Sequence, residues 1–196
     1  MRVALTGTPG TGKTTVSERV ADALGLDVVH LSEVVERDEA ALVASHDEDR
    51  DTREVDLDAL RERFADSDDV LFEGHLAHHL PVDHCVVLRC DPAVLEHRLA
   101  DRGYDDAKVR ENAESEALDV VLAEALDARD AVVEIDTTDR PVAAVAEEAV
   151  AAVRDGRTRW GDVDWSDYLA SIDVTSEERA DRAGEESAER TGGDGA

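Results

Sequence analysis

The chain has 196 residues, and Asp plus Glu outnumber Lys plus Arg 49 to 21, for a formal net charge of −28. That length is about one domain and can bury a substantial core. The acidic excess argues against free-standing affinity for DNA or RNA, because neutralising phosphates takes clustered Lys and Arg.

The first apolar stretch, Arg2-Val3-Ala4-Leu5-Thr6, reads as a strand running straight into Gly7-Thr8-Pro9-Gly10-Thr11-Gly12-Lys13-Thr14-Thr15. The spacing is G-x-x-x-x-G-K-[ST], the phosphate-binding P-loop. Its glycines let the backbone curl so that successive N–H groups converge on phosphate oxygens. A helix opening at Lys13 and continuing through Val16, Val20, Ala23 and Leu24 adds unpaired N–H groups and the positive end of its dipole. In such a loop the Lys13 ammonium reaches the β- and γ-phosphates, and the Thr14 hydroxyl is placed to ligate Mg²⁺. The pattern implies a nucleotide-binding protein.

Gly25 ends that helix, and Leu26 to Leu31 gives a second apolar strand. Ser32 is a suitable N-cap for a helix carrying Val34 and Val35. The nearly all-polar stretch 45–56 reads as an exposed loop, followed by a short amphipathic helix from Asp58 to Phe64. Val70-Leu71-Phe72-Glu73 is an apolar strand ending in an acid, and His84 to Leu88 is the next strand. Helices are expected from Ala93 to Arg102, from Asp105 or Asp106 as one long element to about Arg129, and from Pro141 to Val153. A last strand fits Ala131 to Ile135. Strands alternating with helices imply an α/β fold with a parallel sheet covered on both faces. Trp160, Trp165, Tyr168 and Leu169 read as a patch docking within 156–172, and 173–196 as a disordered acidic tail. Cys85 and Cys90 lack metal-ligand spacing and are expected as reduced core thiols. No signal peptide and no apolar run of bilayer length is seen, so a cytoplasmic protein without membrane contact is expected.

Several side chains are candidates for chemistry. Glu73, at the C-terminal edge of its strand, lies where a Walker B carboxylate approaches Mg²⁺. His75, just beyond it, is placed to position or deprotonate an attacking group, or else only hydrogen-bonds in its loop. Arg98 and Arg102 share a helix face before the breaker Gly103-Tyr104, as in a short lid over ATP; the alternative is a solvated pair balancing Glu96, Asp101 and Asp105. Arg37 and Arg53, in the excursion after the second strand, either hold a second substrate's phosphate or make surface salt bridges. His78 and His79 suggest a metal, but no Cys or third ligand is spaced to complete a set. Neither lysine, Lys13 or Lys108, follows an asparagine, so the N-K-x-D signature of GTP recognition is missing. One short domain with a flap and an arginine-bearing lid is the kinase plan for small phosphoacceptors.

The P-loop, Val87-Leu88-Arg89 and Arg98-Leu99-Ala100-Asp101-Arg102-Gly103-Tyr104 together resemble the adenylate kinase isoenzyme 6 family over residues 1 to about 155, and Asn112 and Glu116 fall where that family carries an Asn and a Glu. The resemblance implies a P-loop NTPase three-layer fold like that of nucleoside-monophosphate kinases, with a flap over about 30–53 and a short lid over about 101–111. It implies adenylate kinase and ATPase activity on MgATP and AMP, and a role in small ribosomal subunit maturation through a ribosomal protein. Gly10, Gly12, Lys13, Thr14 and Thr15 would hold the ATP phosphates, Arg102 would be the lid arginine, and the flap with Arg37 and Arg53 would take AMP. Glu73-Gly74-His75 matches the Asp-x-His of eukaryotic members, with Glu lengthening the reach of the acid. The acidic composition itself looks like that of a cytoplasmic protein from an extreme halophile, suited to strong salt screening.

Overall fold

The computed structural model describes residues 1–47 and 52–172, with side chains over 1–45 and 54–172. The expected acidic tail, 173–196, lies outside the described residues. The strands are β1 (Arg2–Thr6), β2 (Asp27–His30), β3 (Val43–Asp47), β4 (Thr52–Val55), β5 (Val70–Glu73), β6 (His84–Arg89) and β7 (Val132–Asp136). The helices are α1 (Lys13–Leu24), α2 (Leu31–Arg37), α3 (Glu39–Leu42), α4 (Leu57–Arg63), α5 (Pro92–Asp101), α6 (Asp106–Ala117), α7 (Val120–Ala128) and α8 (Val142–Arg154), with a 3₁₀ turn at Ala77–His79. Five strands form one parallel sheet in the order β2-β5-β1-β6-β7.

Because side chains alternate across a strand, each central strand feeds two cores. Val3, Leu5, Leu71, Val86, Leu88 and Ile135 pack with Val16 and Val20 of α1 and Val145 and Ala149 of α8. Ala4, Phe72, Cys85, Val87 and Val132 pack on the other face with Val34 of α2, Leu60 of α4, and Leu122 and Ala125 of α7. This is the expected three-layer α/β P-loop architecture. Each fully buried Leu or Ile contributes roughly 1.5–3 kcal/mol, which explains how so acidic a chain closes. A third cluster, Cys90, Leu95, Leu99 and Val109, holds α5 to α6. Both cysteines are free and buried, with thiol pKa values pushed up by burial to about 12 for Cys85 and about 11 for Cys90.

Four local expectations need correction. Strand β2 stops at His30, and Leu31, 3% exposed, opens α2, so the helix is capped by His30 and not by Ser32. In the polar stretch 45–56, residues 45–47 and 52–55 are strand and not loop: β3 and β4 pair antiparallel, Val43 opposite Val55. Backbone ladder bonds need no apolar alternation, so a ribbon this polar leaves no period-two signal. The long helix expected to run to Arg129 breaks at Asp119, whose φ of 57° is left-handed, a conformation Asp tolerates better than most residues. The break lets Val109 pack on α5 while Leu122 and Ala125 face the sheet. At the C-terminal end, Arg159 bridges Val133 along the sheet edge and Tyr168 Oη donates to Glu96 Oε1 at 2.9 Å, but Trp160 stays 54% exposed and does not dock. No helix among the described residues is long and apolar enough to cross a membrane.

Candidate functional site

All five parallel strands end at the same edge of the sheet, and the P-loop leaves β1 there. Gly7 has φ 139°, and a Cβ on it would lie 2.3 Å from the Leu88 carbonyl oxygen, so only glycine lets the loop start against β6. Gly10, at φ 96°, rests on Leu95 and Leu99 of α5. Gly12 caps α1 with no side-chain bond and no acid in the first turn. First-turn N–H groups and the helix dipole thus face an anion site with no acid in the helix's own first turn.

Lys13 is 8% exposed, and its Nζ donates to the carbonyls of Gly7 at 2.8 Å and Thr8 at 3.0 Å. Burial lowers its pKa to about 8, against the opposing pull of Glu73 and Glu116. The ammonium stays mostly charged at neutral pH, and phosphate can compete for its protons. Glu73 is 5% exposed at the end of β5; Thr14 Oγ1 donates to its Oε1 at 3.4 Å. Its Oε2 is held at 2.8 Å by His30 Nδ1, the register partner on β2. The hydrogen bond to Glu73 raises the His30 pKa. A hydroxyl and a carboxylate oxygen side by side, with the second carboxylate oxygen fixed from behind, are hard donors that fit Mg²⁺.

Residues 3–119 match the family described as "AAA domain". The chain is 53% identical over 173 residues to a protein of Natronomonas pharaonis named "Putative adenylate kinase", covering 86% of this chain and 100% of that one. A Methanocaldococcus jannaschii protein of the same name is 40% identical over 178 residues, covering 86% and 97%. The chain belongs to this family of P-loop nucleotide kinases. Among solved structures, shikimate kinase from Acinetobacter baumannii superposes with a TM-score of 0.58 at 16% identity (81% and 95% covered), and deoxyadenosine kinase from M. mycoides with 0.53 at 13% (79% and 100% covered), which shows the shared fold.

In this kinase fold a cleft of about 190 Å³ opens beside the P-loop, between Gly12 and Thr15 on one side and Arg98, Arg102, Arg140 and Val142 on the other. Arg98 Nη1 donates to the Gly10 carbonyl at 3.3 Å, and Arg140 is braced by the Asp136 carbonyl at 2.9 Å and Glu148 at 2.7 Å. Arg102 is exposed at the rim. Three guanidinium groups at one mouth, in a chain of net charge −28, are a local field suited to a polyanion. A second cleft, lined by Asp83, Cys85 and Arg129, lies at the N-terminal ends of β6 and β7, away from the P-loop.

His75 lies two residues beyond Glu73, within electrostatic reach of Lys13. Loss of hydration, then Lys13 and His79, pull its pKa down, although the residue is exposed; solvent moderates that pull, and the neutral form dominates at neutral pH. Arg37 does not join the site: its side chain is 65% exposed and lies 3.6 Å from Asp38. The Arg53 side chain lies outside the described ones.

Four residues carry geometry that sequence reasoning missed. His30, whose only signal was its place at the end of an apolar strand, braces Glu73. Arg89, 1% exposed, binds Glu116 Oε1 and Glu134 Oε1, each at 2.6 Å, and Asp119 at 2.5 Å. Burial works against its charge, but Glu116 and Asp119 raise its pKa overall. Glu134 Oε2 accepts from the N–H of Gly161 at 2.8 Å, tying the C-terminal segment to the same network. Thr137 Oγ1 lies 3.0 Å from the Thr11 carbonyl oxygen and pins the far side of the P-loop.

Proposed function

We propose that the protein is a cytoplasmic adenylate kinase that transfers the γ-phosphoryl group of MgATP to AMP and also hydrolyses ATP. The observation that carries this is the convergence of Lys13, Thr14 and Glu73 on one side of the P-loop with the arginine-rimmed cleft on the other. The names of the relatives supply AMP as acceptor. The ATP phosphates lie along Gly10, Gly12, Lys13, Thr14 and Thr15, and the nucleoside in the cleft under Arg98 and Arg102. Thr14 and Glu73 would hold Mg²⁺, which when bound screens charge between the β- and γ-phosphates. An AMP phosphate oxygen, already anionic, forms the new P–O bond as the β,γ-bridge bond breaks, giving two ADP with no general base. Lys13 and Arg102 neutralise the charge that develops on the transferring group. The flap carrying Arg37 and Arg53 takes AMP, which requires Arg37 to leave Asp38; that 3.6 Å contact is worth little, and Asp38 keeps Arg63 at 2.7 Å.

The experiment is ADP formation from ATP alone, from ATP plus AMP, and from ATP plus other monophosphates. ADP formation that AMP does not accelerate overturns the kinase reading. A second reading, a nucleotide-driven factor for small-subunit maturation, rests on the family resemblance and on an acidic surface suited to a basic ribosomal protein. It requires ATP hydrolysis to rise when such a protein is added without AMP.

A further inference from the structure

His78 and His79 lie on the 3₁₀ turn that follows β5, against α7. Sequence spacing offers them no third ligand, because the third comes from 45 positions further on: Glu124 of α7. The donor atoms of the three side chains all lie within 4.8 Å of one another.

His78 is 0% exposed, yet its Nε2 makes no hydrogen bond among the described residues. Its other nitrogen explains why. Thr6 Oγ1 donates to the His75 carbonyl at 3.2 Å and lies 3.0 Å from His78 Nδ1. A hydroxyl has one proton; with that proton on the His75 carbonyl, the Thr6 oxygen accepts from Nδ1–H, and in this tautomer Nε2 is a bare lone pair. That lone pair lies 3.4 Å from Glu124 Oε2. Two acceptors facing each other call for a cation. The carbonyls of the turn are already fixed, His78 by Arg129 Nε at 2.8 Å and His79 by Arg61 Nε at 3.0 Å, so the backbone that presents both rings is rigid. The guanidinium charges lower affinity for any cation, but each points at a carbonyl oxygen.

We propose that His78 Nε2, His79 and Glu124 form a binding site for a zinc-class divalent cation, separate from the Mg²⁺ position at Thr14 and Glu73. Two imidazoles and one carboxylate suit Zn²⁺, Co²⁺ or Ni²⁺, not Mg²⁺, which takes oxygen donors and water. Bond lengths of about 2.0–2.2 Å would draw the donor atoms together. The half-exposed Glu124 side chain has the freedom to close that gap. The Nδ1–H bond to Thr6 is the outer-shell contact that orients such a ligand. A bound ion would clamp α7 to the turn after β5, and Thr6, the last residue of β1, would join the clamp to the start of the P-loop.

The full-length protein, stripped with EDTA and held in excess Mg²⁺ to occupy oxygen sites, is titrated with Co²⁺ and then with Zn²⁺. One equivalent of Co²⁺ should give visible d–d absorption of low coordination number, Zn²⁺ should displace it, and Zn²⁺ should raise Tm by several degrees. Glu124→Gln and His79→Asn, both at solvent-reached positions, should each weaken binding at least tenfold while leaving the metal-free Tm within a few degrees. Absence of stoichiometric Co²⁺ absorption in the wild-type protein, or equal affinity in both variants, overturns the site. His78→Gln is less useful alone, since it alters a fully buried position.

Discussion

Thr8 Oγ1 donates to Glu116 Oε2 at 2.5 Å across 108 positions of sequence, tying the P-loop to α6. The other oxygen of Glu116 accepts from Arg89 Nε at 2.6 Å and from the Cys90 N–H at 3.1 Å. The loop that would hold the phosphates is therefore positioned by a buried carboxylate that is itself positioned by a buried guanidinium. Glu116→Gln should lower kcat/KM for ATP about tenfold, the scale of one charge-assisted hydrogen bond. Thr8→Val should do the same, and the double variant should be little worse than either. Strictly additive losses would mean that the contact does not act as a unit.

Removing Arg89 strips Glu116 and Glu134, both nearly fully buried, of their shared cation. Unpaired buried charge of this kind costs about 3–5 kcal/mol. Arg89→Ala should lower stability by that amount in urea titration, and a loss below 1 kcal/mol would mean that water enters the network freely.

Lys13→Ala should abolish turnover and leave the fold intact, because the only ammonium at the P-loop is lost. The pH profile carries the same information. Phosphate binds the charged ammonium, and the free-enzyme pKa is about 8, so kcat/KM for ATP should fall as pH rises through that value. Lys13→Arg, charged at every accessible pH, should lose that alkaline limb whatever its residual rate. An unchanged limb in Lys13→Arg assigns it to another group.

His75 separates two chemistries. An AMP oxygen needs no base, whereas water must be oriented and deprotonated. The neutral imidazole, within electrostatic reach of Lys13, can accept that proton. His75→Ala should therefore reduce ATP hydrolysis much more than transfer to AMP, both rates being measured on one preparation. Equal losses would make it a shaper of the shared ATP site.

A net charge of −28 should make stability depend on salt. The Debye length shortens from about 10 Å at 0.1 M to about 3 Å at 1 M, so self-repulsion fades and Tm should rise across that range in KCl. A flat or falling Tm contradicts the halophile-like reading of the composition.

The P-loop, the parallel sheet, both sheet faces and the acid at the end of β5 were legible in the sequence, because each rests on a local period or a short motif that backbone geometry imposes. The β3–β4 hairpin was not, since its ladder joins backbones whose side chains carry no pattern. The break at Asp119 was not, because the group that donates to its carboxylate, Arg89, lies thirty positions earlier. His30 against Glu73, Thr8 against Glu116 and His78 against Glu124 share this cause. Each joins residues that lie far apart in the chain, and only folding decides which side chains it brings within about 3 Å. The sequence by itself determined that this protein has a phosphate-binding loop on an α/β sheet; tertiary structure alone decided which groups hold that loop in place, because hydrogen bonds between distant segments leave no period to read.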